Sequence, residues 1–115
     1  MKALFIGRFQ PFHKGHLKII KHFENKYDKI IIGVGSAQYS NTFKNPFSYE
    51  ERKEMIKLCL DTVNIKNYKI IKIPDIHNPP KWVDYLLGIY SDFDAVITNS
   101  DFIKEENLEV HLFGF

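Results

Sequence analysis

The sequence predicts an α/β protein built on a doubly wound parallel sheet, and three observations carry that prediction. Short, largely apolar runs recur at positions 3–6, 29–34, 68–73 and 94–98, and the first two have almost no polar interruption, the pattern of strands covered on both faces. Between them, apolar residues fall at helical spacing, as at Leu17, Ile20 and Phe23 and again at Met55, Ile56, Cys59 and Leu60, which gives the alternation of strand and crossover helix. Polar stretches rich in glycine, proline and asparagine follow the ends of the strands, where open α/β sheets hold their ligands. About five parallel strands are expected, with the first at the centre.

Size and composition narrow the field. With 115 residues the chain is expected to be one domain, with a single core. A net charge of +2 gives no electrostatic case for a nucleic-acid partner. Cys59 is the one cysteine, so a disulfide framework is not expected; it reads as a small buried hydrophobe in a reducing, cytoplasmic setting. The apolar runs are far shorter than a membrane span, and a membrane partner is not expected.

Taken in order, the first run, Ala3 to Ile6, leads into Gly7-Arg8-Phe9-Gln10-Pro11-Phe12-His13-Lys14-Gly15-His16. A helix is predicted from near Gly15 to about Asn25, so His13 stands in the loop and His16 in the first turn. A helix start aims unpaired N–H groups and a positive dipole end at its loop, which suits an anion. Arg8 and Lys14 add positive charge, and Gly15 lets the backbone approach closely. The pair of histidines lacks nearby cysteine or carboxylate ligands, so a structural zinc site is not expected; His22 and His111 read as surface residues.

After the second strand come Gly35-Ser36-Ala37-Gln38, small enough for a ligand to come close, and then a long polar stretch from Tyr39 to Phe47 that reads either as a lid or as an ordinary surface loop. Ser48 and Glu51 have capping-box spacing at the head of a helix reaching Leu60 or Asp61. Arg52, in its first turn, reads from spacing alone as a solvated charge. The third strand, Tyr68 to Ile73, is stopped by Pro74. The following loop, Pro74 to Trp82, mixes an acid, an amide, prolines and the one tryptophan; Trp82 either stacks on a flat ligand or packs the start of a short helix through Tyr85, Leu86 and Ile89. Asp94 to Thr98 is the fourth strand, with Asn99 at its end. Asp101 to Glu106 reads as a short helix, and 108–113 as a fifth strand or edge.

The spacing His13-Lys14-Gly15-His16 resembles the H-x-G-H signature of the nucleotidyltransferase superfamily. The fuller wording Gly7 to His16, together with Gly35-Ser36-Ala37-Gln38, Asn45-Pro46-Phe47-Ser48-Tyr49-Glu50-Glu51-Arg52 and Lys81-Trp82-Val83, is similar to archaeal-type nicotinamide-nucleotide adenylyltransferase. That resemblance implies a Rossmann-like nucleotidyltransferase fold and transfer of an adenylyl group from ATP to nicotinamide mononucleotide, giving NAD and pyrophosphate. It implies that His13, His16 and Arg8 act on the phosphates and that Gly7, Phe9, Lys14, Gly15, Arg52 and Asn99 surround ATP, with Arg52 either touching phosphates or anchoring its helix to the loops. Ser36, Ile76, Asn78 and Trp82 would take the nicotinamide mononucleotide. Mg²⁺ is implied as a cofactor carried by the ATP phosphates, with no protein ligand, and a homo-oligomer is implied.

Family members continue past the fifth strand into a Ser-Gly-Thr segment with an arginine two residues later, whereas these residues stop at Phe113-Gly114-Phe115. Either these residues are part of a longer chain, or the single domain lacks the family's C-terminal helical segment, in which case losing one phosphate clamp is expected to slow turnover roughly a hundredfold or more. Two alternatives stand beside this reading: the same fold with another acceptor, such as phosphopantetheine, flavin mononucleotide or glycerol phosphate, and a non-catalytic nucleotide-binding module.

Overall fold

Alternation of buried side chains fixes how the sheet is covered. In the strand β1 (Lys2–Gly7), Ala3 and Phe5 point to one face and Leu4 and Ile6 to the other, and all four are buried. β2 (Lys29–Gly35) repeats the arrangement, with Ile30, Ile32 and Val34 opposite Ile31. Strands of this kind need helices on both sides. The chain supplies α1 (Lys14–Phe23) and α2 (Tyr49–Thr62), whose Ile20, Phe23, Ile56 and Leu60 join Phe5 and Ile32. On the other face Leu86 of α3 (Pro79–Ile89) joins Leu4, Ile31 and Val96. Burying a Leu, Ile or Phe side chain in this way stabilises the fold by about 1.5–3 kcal/mol before entropy is counted.

In the computed structural model residues 1–75, 79–98 and 109–112 are described. Completed by β3 (Tyr68–Ile73), β4 (Ala95–Thr98) and β5 (Glu109–Leu112), the sheet has five strands in the order β3-β2-β1-β4-β5. All pairings are parallel, and one row runs through Ile70, Ile32, Phe5, Ile97 and His111. β1 is central, as expected, and the winding reverses between β1 and β4, so the loop after β1 opens at the point where such sheets bind ligands.

Two local readings are corrected. Pro79 and Pro80 are the first two residues of α3, so the loop expected to reach Trp82 ends before them; proline is favoured at a helix start because its missing N–H would have had no partner there. Cys59 is only partly buried, because Tyr49, Arg52, Ile56 and Leu60 form the inward stripe of α2. Among the described residues, no helix is long and apolar enough to cross a membrane. The short helix expected over Asp101 to Glu106 lies outside the described residues.

Candidate active site

The site begins where β1 runs out. Gly7 has no side chain to obstruct the chain as it doubles back; a Cβ there would lie 2.9 Å from Cζ of Phe9. Phe9 adopts a left-handed φ of 54° and turns its ring inward, edge-on to Phe5 at 5.4 Å between centroids. It is 1% exposed, so its side chain belongs to the core beneath the site. The Phe9 ring is a floor: it meets His16 edge-on at 4.8 Å, and Phe12 stacks on the same imidazole at 5.4 Å.

His13 is the N-cap of α1, with φ −137° and ψ −178°. Gly15 N–H donates to its Nδ1 at 3.0 Å, and His13 N–H donates to Nδ1 of His16 at 3.1 Å. This is a capping box, two donors at a helix head satisfied reciprocally, but made with imidazoles. Because both Nδ1 atoms accept, the proton of each neutral ring sits on Nε2. The rings stack with centroids 3.8 Å apart. Burial, helped by the neighbouring His13, lowers the His16 pKa to about 4, so His16 is neutral at pH 7 and offers an N–H donor rather than a charge. No acidic residue stands in the first turn of α1, which leaves the positive end of its dipole uncompensated there. Arg8 and Lys14 are exposed beside it.

Arg52 gives the sharpest correction. It is fully buried; the solvated-charge reading fails. Its Nε donates to the carbonyl of Ser48 at 3.1 Å, its Nη1 to Arg8 at 2.9 Å and Gly35 at 2.8 Å, and its Nη2 to Ser36 at 3.2 Å and Tyr39 at 3.4 Å. A guanidinium has five N–H donors, and these carbonyls take them all, so no N–H is left for a phosphate. Of the two roles that the resemblance implied, the geometry is that of the anchor. Among the described residues no carboxylate pairs with it, and burial lowers its pKa.

Ser36 is buried and holds a left-handed φ of 49°. The stretch that follows is tied at both feet. Arg52 holds Tyr39, and Gln10 makes a two-point bond with the backbone of Phe47, donating to its carbonyl and accepting from its N–H, both at 2.8 Å. Within the loop, Asn41 N–H donates to Pro46 O at 3.2 Å and Thr42 N–H to Asn45 O at 3.2 Å, leaving Phe43 fully exposed at the tip. Gln38 repeats the device: its Nε2 donates to Asp75 O at 2.8 Å and its Oε1 accepts from Asp75 N–H at 3.0 Å.

The structure thus gathers Gly7, Arg8, Phe9, His13, Lys14, Gly15, His16, Ser36 and Arg52 at the carboxyl ends of β1 and β2. Trp82 is carried by the first turn of α3. Ile76, Asn78 and Asn99 lie outside the described residues. Sequence reasoning missed Gln10 and Gln38; the only signal was a glutamine in each ligand-facing loop, and their partners stand 37 residues away.

The chain is similar to known proteins over most of its length. The nicotinamide-nucleotide adenylyltransferase of Thermoplasma acidophilum is 44% identical over 108 residues, covering 94% of this chain and 60% of its own, and that of Methanococcus aeolicus is 47% identical over 105 residues, covering 91% and 60%. This chain therefore spans about three fifths of the length of these curated relatives. Among solved structures, a bifunctional NMN adenylyltransferase/ADP ribose pyrophosphatase from Francisella tularensis, complexed with AMP and Mn ion, superposes with a TM-score of 0.79 at 35% identity, covering 88% of this chain and 32% of that one. The cytidylyltransferase-like family model matches residues 4–114, and with the imidazole-capped helix standing at the switch point of a parallel sheet, the chain belongs to that family.

Proposed function

We propose that this chain carries the adenylyl-transfer site of a nicotinamide-nucleotide adenylyltransferase, which joins ATP and nicotinamide mononucleotide to give NAD and pyrophosphate. The observation that carries the reading is the reciprocal imidazole cap at the head of α1, supported by the identity to named adenylyltransferases. In the reaction a phosphate oxygen of nicotinamide mononucleotide attacks the α-phosphorus of ATP, and the bond from that phosphorus to the bridging oxygen of the β-phosphate breaks, releasing pyrophosphate. The nucleophile is already an anion near neutral pH, so the protein needs no strong base. Its task is to bring two anions into line and stabilise charge on the phosphates.

His13 and His16 would give Nε2–H bonds to phosphate oxygens, with the α1 dipole, Arg8 and Lys14 adding positive potential. Gly7 and Gly15 would let the backbone come close, and Asn99 would serve the ribose or the adenine. Ser36, Ile76, Asn78 and Trp82 would hold the acceptor. Mg²⁺ would supply charge neutralisation on the phosphates. No three His, Cys, Asp or Glu side chains come together among the described residues, and the metal would be carried by the ATP phosphates. A cytoplasmic, homo-oligomeric enzyme completes the reading.

The test is direct. Incubation with ATP, Mg²⁺ and nicotinamide mononucleotide should yield NAD and pyrophosphate in equal amounts. Pyrophosphate release with flavin mononucleotide but not with nicotinamide mononucleotide would move the acceptor assignment, and tight ATP binding without turnover on any acceptor would leave a binding module.

A further inference from the structure

We infer that Gln38 is a positioning residue that couples the nucleotide end of the site to the acceptor end. Through it, the loops following β1, β2 and β3 form one hydrogen-bonded frame. The inference rests on the proposed reading for what the two ends bind, but its geometry stands on its own.

The links can be followed atom by atom. Gln10, in the histidine turn, closes a two-point bond on Phe47. Arg52 spans the same gap, holding Arg8 on the turn and Gly35, Ser36 and Tyr39 at the start of the next loop. From that loop Gln38 closes its own two-point bond on Asp75, and Ala37 N–H donates to Ile73 O at 3.3 Å. Asp75 follows Pro74 at the end of β3 and opens the loop toward Trp82.

A carboxamide that both donates to and accepts from one residue's backbone fixes that residue's orientation as well as its distance, as one step of a β-ladder does. Gln38 is exposed and its bonds to Asp75 are exposed too. Solvent-exposed bonds of this kind add little to global stability, since water replaces them readily. Their effect is on placement. Ordering one end of such a frame lowers the entropy cost of ordering the other, which makes two ligands cooperative.

The test compares the wild type with Gln38→Ala and Gln10→Ala by amide hydrogen exchange, using ATP with Mg²⁺ as the probe. In the free protein, Gln38→Ala should speed exchange at Asp75 roughly tenfold, while Tm changes by no more than about 2 °C. In the wild type, ATP should slow exchange at Asp75 as well as in the histidine turn; in Gln38→Ala ATP should protect the turn alone, and in Gln10→Ala, where Arg52 still spans the gap, the protection of Asp75 should weaken without vanishing. In steady state, Gln38→Ala should raise KM for the acceptor roughly five- to twentyfold, with KM for ATP within about twofold. Equal ATP-induced protection of Asp75 in wild type and variants, or protection in none of them, would overturn the inference, as would equal rises in both KM values. Coupling by hydrogen exchange without pyrophosphate release would sink the catalytic reading and leave the coupling intact.

Discussion

Two helices in this molecule begin with the same device and use it for different ends. α2 opens on Ser48, whose Oγ accepts from Glu51 N–H at 3.1 Å while Glu51 Oε1 accepts from Ser48 N–H at 3.0 Å. Glu50 and Glu51 then place negative charge against the positive end of the helix, which completes the cap electrostatically. α1 satisfies the same two positions with the rings of His13 and His16, neutral groups that leave the dipole unopposed, and no acid follows. The first cap is closed by its own side chains, whereas the second is complete in hydrogen bonds and still open in charge. α2 thus neutralises its own dipole, and α1 does not.

Breaking the frame around both caps should have the largest effect. Arg52→Met takes the guanidinium from the carbonyls of Arg8, Gly35 and Tyr39, while those of Ser36 and Ser48 keep backbone donors, and is expected to cost about 3–5 kcal/mol, lowering Tm by roughly 10 °C or more. Calorimetry would check this, and a shift of a degree or two would mean that the carbonyl cage is dispensable. Next comes the contrast between the caps. His16→Ala should cut turnover by about a hundredfold or more, whereas Ser48→Ala should cost only about 1 kcal/mol of stability with kcat nearly unchanged. If the two substitutions had the same signature, the functional distinction between the caps would be lost.

The last effect is in pH. The folded pKa of His16, about 4, lies below the 6.5 of the free ring, so between those values the unfolded chain holds a proton that the folded chain refuses. Its contribution to stability is complete above about pH 6.5 and shrinks as the pH falls toward 4. Urea midpoints measured across that range should therefore drop more steeply in the wild type than in His16→Gln. Parallel curves would show that the ring titrates normally.

Much of this architecture was legible in the sequence because it is local. The run Tyr68 to Ile73 forms a strand with those very ends, and Ser48 with Glu51 makes the cap that its spacing announces. His13, Gly15 and His16 were legible for the same reason, since the side-chain hydrogen bonds that join them span no more than three residues. Legibility failed where the partner is distant. Arg52 sits among Glu50, Glu51, Lys53 and Glu54 and resembles its solvated neighbours; what buries it is a set of carbonyls as far as 44 residues away. Phe9 follows an arginine in a loop, and only the space left by Gly7 turns its ring into the core. Gln10 and Gln38 carry no periodic signal, because a bond to the backbone does not depend on the partner's side chain.

The buried guanidinium has one more consequence. Mobile counter-ions in solution cannot approach a charge sealed beneath the carbonyls of Arg8 and Gly35, whereas they gather freely around exposed Arg8 and Lys14, whose reach falls away over about 8 Å at physiological ionic strength. On the proposed reading, added salt should therefore weaken the pull of Arg8 and Lys14 on a phosphate, while the sealed charge of Arg52 is screened far less.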